Sequence, residues 1–98
     1  MNPEETYRKA ISSGKRLLEL EDIILTCLRY SYRYALNVVE GRWIEAEDII
    51  MNSSYYSSRY ASHVIKGKLP EKMHNMMILH AIKDPEDKYV KDYFELIK

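Results

Sequence analysis

The three histidines are the side chains that first raise the question of metal chemistry. They are His63, His74 and His80. His74 and His80 are six residues apart, which places them on different faces of one helix, and no His-Glu-x-x-His motif is present. The sequence also lacks a glycine-rich phosphate loop. We therefore expect neither a metal site nor a cofactor.

Acidic residues and one cysteine are the remaining candidates for catalysis. The acids form two clusters 26 residues apart: Glu19, Glu21, Asp22 and Glu45, Glu47, Asp48. Carboxylates at the start of short helices are explained by the helix dipole and by solvent, and nothing nearby indicates a shifted pKa. Cys27 lies on an apolar face and is predicted to be a small core residue. We expect no catalytic residues and no enzymatic activity.

A second constellation consists of polar side chains on two successive helical segments. At 100° per residue, six of them share the outward faces of these segments: Arg29, Arg33, Asn37, Tyr55, Arg59 and His63. A stripe of this composition is typical of protein interfaces, in which Arg and Tyr are enriched. It also suits a nucleotide or RNA, whose bases stack on tyrosine rings. A plain solvent-exposed face is the third interpretation.

Charge and composition limit the classes of partner. The chain has 15 Lys and Arg against 15 Asp and Glu, so no overall field draws it to nucleic acid or to an anionic membrane. The first residues are acidic and no apolar run is long enough to span a bilayer, so we expect no signal peptide and no membrane association. A single cysteine fits a reducing cytoplasm.

The elements that carry the outward stripe belong to an internal repeat. Residues 33–45 return 26 positions later as 59–71, and residues 19–24 return as 45–50. A fixed period of this size is typical of helical repeats in which neighbouring units bury each other's apolar faces. Within one domain, 1–98, we predict a degenerate unit 1–27, repeats 28–53 and 54–83, and a capping helix 84–98.

The apolar periodicity predicts helices throughout. No segment alternates with period two, so we expect an all-α fold: a short, solenoid-like stack of about six helices. The first helix is predicted over 3–13, starting after Asn2 and ending at Gly14. A break is expected near residues 25–28.

Further turns are predicted from glycine and proline. Gly41 and Gly67 are expected to supply the left-handed residues that end two helices, and Asp84-Pro85-Glu86 to start the last helix. Trp43 is expected to fill the corner between two helices. Three methionines of the helix between Gly67 and Asp84 are expected to form a surface for self-association: Met73, Met76 and Met77.

The repeated unit also resembles a known family. Its pattern, Tyr-Ala-x-x-Val-(Val/Ile)-x-Gly-(Arg/Lys)-(Trp/Leu)-x-Glu, is similar to a short tandem repeat of proteins from tailed bacteriophages and other large viruses. Matching residues include Tyr34, Ala35, Val38, Gly41, Arg42, Trp43 and Glu45, and then Tyr60, Ala61, Val64, Ile65, Gly67, Pro70 and Glu71. Ile44 and Leu69 stand where the family has proline and tryptophan. The resemblance covers residues 29–71 and implies a helical repeat of viral origin, without implying any chemistry.

These observations together favour a non-enzymatic protein-interaction module. The resemblance implies a small phage protein that binds and modulates a host or viral protein in the host cytoplasm, for example as an inhibitor of host defence. The alternative is a nucleotide- or RNA-binding helical repeat protein that uses the Arg and Tyr stripe. Self-association is a further expectation.

Overall fold

The structure, a computed structural model, describes residues 1–98. It contains seven α-helices and no strand, which confirms the all-α prediction, with about six helices expected. The helices are α1 (Pro3–Ser13), α2 (Glu21–Ile24), α3 (Leu28–Tyr34), α4 (Ile44–Ile50), α5 (Ser54–Tyr60), α6 (Glu71–Lys83) and α7 (Lys88–Leu96). A 3-10 turn precedes α2, and π-helical segments extend α3 and α5 over Ala35–Val39 and Ala61–Ile65. The body measures 40 × 21 × 19 Å. Solenoid-like stacking and the division into units stay predictions.

The first helix and the first break lie where the sequence places them. The Asn2 side chain accepts a hydrogen bond from the Glu5 N–H at 2.8 Å, and Gly14 ends α1 with a φ of 69°. Asn2 thereby satisfies one of the N–H groups that a helix start leaves free. The chain leaves α2 after Ile24 and begins α3 at Leu28, as predicted.

The ends of the two π segments differ from the prediction. The left-handed residues are Glu40, with φ of 58°, and Lys66, with φ of 62°, not the glycines one position later. The carbonyl of Ala35 accepts hydrogen bonds from the N–H groups of both Glu40 and Gly41, which closes a wide final turn. The left-handed position therefore falls one residue early, where it costs a side chain about 1–2 kcal/mol.

The last helix begins later than Asp84-Pro85-Glu86 predicts. The N–H of Asp84 still bonds to the carbonyl of His80, so Asp84 terminates α6. The N-cap of α7 is Asp87, which accepts from the N–H groups of Tyr89 and Val90 at 2.8 and 3.2 Å. Its carboxylate also accepts a 2.6 Å hydrogen bond from Ser54, at the start of α5, and this long-range contact fixes the cap.

The core is a single cluster of apolar side chains that runs along the body. Trp43 is buried at the corner before α4, as predicted, with its ring centroid 4.8 Å from that of Tyr34. The sixteen buried members are Ala10, Leu17, Ile24, Tyr32, Tyr34, Ala35, Trp43, Ala46, Ile50, Tyr60, Ala61, Leu69, Met73, Met77, Val90 and Tyr93. Tyrosine thus supplies much of the deepest packing, which fits a narrow molecule with few positions remote from solvent.

Two buried tyrosine hydroxyls connect helices that are far apart in sequence. Tyr34 accepts from the N–H of Leu17 at 3.0 Å and donates to the Glu21 carboxylate at 2.6 Å. Glu21 in turn accepts two hydrogen bonds from Arg16, each 2.8 Å long. The carboxylate is therefore bonded on several sides, which makes its burial tolerable.

The same bridge recurs 26 residues later. Tyr60 accepts from the N–H of Trp43 at 2.9 Å and donates to Glu47 at 2.8 Å, and Arg42 donates to Glu47 at 2.8 and 3.1 Å. Ser31 and Ser57 repeat as well, since each hydroxyl donates at 3.1 Å to a carbonyl seven residues earlier. The sequence repeat is thus also a repeat of hydrogen bonds.

These bridges overturn the interpretation of both acidic clusters as solvent-exposed. Glu21 and Glu47 are buried, while Asp22 and Asp48 are exposed. Burial opposes the ionisation of Glu21, but the hydrogen bonds from Arg16 and Tyr34 outweigh it, so the pKa of Glu21 lies below its ordinary value. Burial, followed by the bond to Glu21, raises the pKa of Tyr34 to about 12.

Replacing Tyr60 by phenylalanine tests the bridge. We expect Tyr60→Phe to lower the free energy of unfolding by about 3 kcal/mol, because the Trp43 N–H loses its acceptor in a buried place and the Glu47 carboxylate loses a donor. Urea titration followed by circular dichroism measures the loss. In Tyr55→Phe, which removes a hydroxyl from a side chain at the surface, the change should stay within about 0.5 kcal/mol. Equal losses in the two variants would contradict the bridge.

The depressed pKa of Glu21 gives a pH dependence with a definite sign. Because the pKa is lower in the folded state, Glu21 stabilises the fold fully above the unfolded pKa of about 4.3, and this contribution disappears as the pH falls through the folded pKa. We expect Glu21→Gln to be less stable than the parent near neutral pH and to lose less of its remaining stability on acidification. Urea midpoints measured from neutral pH into the acid range check this, and parallel curves for the two proteins would argue against it.

Candidate functional site

All six residues of the predicted outward stripe lie at the surface, and we call the surface they begin the arginine–tyrosine face. Its members from the sequence are Arg29, Arg33, Asn37, Tyr55, Arg59 and His63. Arg29, Arg33 and Arg59 form no ion pair. The other three arginines of the chain each bind a carboxylate. The face therefore carries the guanidinium groups whose charge the fold leaves unmatched.

At one end of the face, α3 meets α1. The guanidinium carbon of Arg33 lies 5.6 Å from the centroid of the Tyr30 ring, and the Tyr30 ring lies 5.5 Å from that of Tyr7. Asn37 donates from Nδ2 to the Tyr7 hydroxyl at 2.9 Å. Tyr7 thus joins the face from another helix and holds Asn37 in place.

In the middle of the face, Arg59 lies beside two tyrosine rings. Its guanidinium carbon is 5.8 Å from the centroid of Tyr32 and 5.6 Å from that of Tyr55. Tyr32 is buried and belongs to α3, so the contact joins the two helices of the face. Burial raises the pKa of Tyr32, although Arg59 acts in the opposite direction, and the Tyr32 hydroxyl has no hydrogen-bond partner.

Further tyrosines continue the contacts toward α7. The Tyr55 ring meets those of Tyr56 and Tyr89 edge-to-face, with centroid distances of 4.9 and 4.8 Å, and Tyr56 lies 5.5 Å from Tyr32. Interaction with the Tyr56 hydroxyl raises the pKa of the Arg29 guanidinium. Edge-to-face packing stabilises such ring pairs and fixes their orientation, so the arginines lie on ordered rings.

His63 lies apart from this chain of rings and guanidinium groups. It lines a small cleft between the two π segments, together with Leu36, Glu40, Gly41, Val64 and Lys66. The structure therefore links Arg29, Arg33, Asn37, Tyr55 and Arg59 through tyrosines, and leaves His63 outside that linked set. That any of these residues binds a partner stays a prediction.

Sequence reasoning missed the tyrosines that complete the face: Tyr7, Tyr30, Tyr32, Tyr56 and Tyr89. A signal for two of the contacts is present in the sequence, since Tyr30 precedes Arg33 by three residues and Tyr55 precedes Arg59 by four. Side chains three or four apart on a helix are neighbours. The contacts of Tyr7, Tyr32 and Tyr89 join different helices, and no local spacing announces them.

The other candidates for chemistry occupy separate places. His74 lies with Nδ1 2.6 Å from the Tyr93 hydroxyl, and His80 lies with Nε2 2.9 Å from the carbonyl oxygen of Met51. Cys27 is half-buried at the start of α3. No three side chains of His, Cys, Asp or Glu come together in a group that could hold a metal ion. Every helix is too short or too polar to cross a membrane.

Comparison with protein-family models, with curated proteins and with solved structures found no match to this chain. The resemblance to the phage repeat therefore depends on the residues of the sequence alone. Any function has to be argued from the geometry of the surface, and the arginine–tyrosine face is the most ordered polar surface available for that argument.

Proposed function

We propose that this protein is a non-enzymatic interaction module that binds an acidic segment of a partner protein on the arginine–tyrosine face. The observation that supports this is the set of three guanidinium groups that have no carboxylate partner and lie beside tyrosine rings. Arginine and tyrosine are enriched among the residues that dominate binding energy at protein interfaces.

The energetics of the face favour binding. A guanidinium beside an exposed aromatic ring gains about 0.5–1 kcal/mol, which holds the side chain in place but leaves its N–H donors free. Ordering the arginines before binding reduces the entropy that a complex would otherwise lose. The free donors form a fork that matches a carboxylate with two hydrogen bonds.

Charge distribution determines the chemistry of the partner. The chain as a whole is neutral, so the attraction is local and acts over about one Debye length, roughly 8–10 Å. Within that range the face offers cations whose charge is not matched by the fold. A partner with exposed Asp and Glu therefore fits best.

The sequence resemblance supports a viral origin for this module. On that basis we propose that the partner is a host or viral protein whose activity the module modulates. No catalytic role is required of the module, because occupation of the partner's surface is sufficient.

Charge reversal tests the proposal. We expect Arg33→Glu with Arg59→Glu to remove a captured partner that the parent protein retains, because both cations of the face become anions. The measurement is affinity capture from host lysate with the tagged chain as bait, followed by mass spectrometry and by titration of the captured protein. Both positions are exposed, so the melting transition should change little.

The matched control reverses two cations elsewhere. Lys9 and Lys68 are exposed and form no ion pair, and Lys9→Glu with Lys68→Glu changes the net charge equally. This control should retain the partner. Arg33→Lys with Arg59→Lys keeps the charge but loses the planar fork, and should weaken binding by about two- to fivefold per site. A partner retained equally by the reversed face and by the control would refute the role of the face.

A second candidate function is binding of a single-stranded RNA or a nucleotide. The specific observation is that Tyr55 and Tyr89, both partly exposed, lie next to Arg59 with their rings in contact. Successive bases stack on aromatic rings with about 1–3 kcal/mol per base, while basic side chains contact the phosphates. The neutral net charge makes this the less favoured candidate.

A titration with a fluorescent oligonucleotide separates the two candidates. If RNA binds, anisotropy should rise at low salt, the affinity should fall as salt increases, and Tyr55→Ala should weaken binding by about tenfold or more. If the face takes a protein, the titration should be flat even at low salt. A response that Arg33→Glu with Arg59→Glu leaves unchanged would show that the nucleic acid binds elsewhere.

A further inference from the structure

The outward side of α6 carries an aliphatic strip. Ile78, Leu79 and Ile82 are 41%, 55% and 72% exposed. Ile78 and Ile82 are one helical turn apart, so they lie on the same side of α6. The expectation that Met73, Met76 and Met77 form the self-association surface is wrong, because Met73 and Met77 are buried in the core and Met76 is half-buried.

The strip has opposite charges at its two ends. Glu71 lies in the first turn of α6 and Lys83 in the last. Neither side chain forms an ion pair, whereas Lys72, on the adjacent side, is already bound to Asp48 at 2.9 Å. The twelve residue steps between Glu71 and Lys83 correspond to about 18 Å along the helix.

We propose that a second copy of this chain docks on this strip, with the two α6 helices antiparallel about a twofold axis. In that arrangement each Glu71 lies at the level of the other copy's Lys83, and the aliphatic side chains in between cover each other. A twofold interface requires a surface that is complementary to itself, and an apolar strip with an acid at one end and a base at the other has this property. Antiparallel helix dipoles add to the attraction.

The charge pattern also selects the orientation and the occupant. A parallel pair would place Glu71 against Glu71 and Lys83 against Lys83, which is repulsive at both ends. An unrelated acidic or basic partner would satisfy one end of the strip and be repelled by the other. The α6 strip shares no residue with the arginine–tyrosine face, so the dimer does not depend on the function proposed above.

Analytical ultracentrifugation of the full chain over a range of concentrations tests the dimer. We expect the parent protein to shift from monomer to dimer mass as concentration rises, and Ile82→Glu to raise the dissociation constant by at least about tenfold, because it buries a charge in the interface. Leu18 is the matched control, since it is 68% exposed and lies outside α6. Leu18→Glu should dimerise as the parent does.

A charge-swap cycle tests the antiparallel register. Glu71→Lys and Lys83→Glu should each weaken the dimer by about fivefold or more, and the double variant should restore it, because opposite charges again face each other. Helix dipoles alone would disfavour the double variant most, so restoration cannot come from the isolated helix. A monomer at every concentration, a dimer insensitive to Ile82→Glu, or a double variant as weak as the single variants would overturn the proposal.

Discussion

The hydroxyl groups of Tyr34 and Tyr60 impose the constraint on which the rest of the structure depends. Each one accepts a backbone N–H at a corner of the chain and donates to a glutamate in the short helix after the corner. One buried group therefore fixes both the path of the corner and the position of the helix. Removing one member of a buried charged network costs about 3–5 kcal/mol, so alternative packings of these helices are strongly disfavoured.

This constraint also places the arginine–tyrosine face. Arg33 and Arg59 directly precede Tyr34 and Tyr60, and neighbouring residues on a helix point about 100° apart. Because each tyrosine points inward to its glutamate, each arginine must point outward, away from the carboxylates that could neutralise it. Tyrosines at helical spacing then lie beside the guanidinium groups, as Tyr55 does beside Arg59. The internal bridge and the external cations are thus two consequences of one Arg-Tyr-Ala pattern.

Local rules predicted the local features and failed where distant residues decide. Helical periodicity gave the all-α class, and Asn2 marked the start of α1 correctly. The same rules treated Glu47 as a solvent-exposed first-turn acid, because its partner Tyr60 lies 13 residues downstream and belongs to another helix. Asp87 was missed as a cap for a similar reason, since its bond to Ser54 spans 33 residues. Repetition at a fixed offset was the available signal for the bridge, because all its members recur together.

The third corner of the chain has lost the glutamate of the bridge. Met73 stands 26 residues after Glu47, and without that carboxylate the Tyr93 hydroxyl meets His74 while still accepting the N–H of Leu69. The loop from corner to tyrosine spans 24 residues instead of 17, and these seven extra residues are about two helical turns, so the phase is preserved. The added turns lengthen α6 beyond the surface that the core can cover. The exposed aliphatic strip is therefore a consequence of divergence in the third unit, just as the exposed cations are a consequence of repetition in the first two.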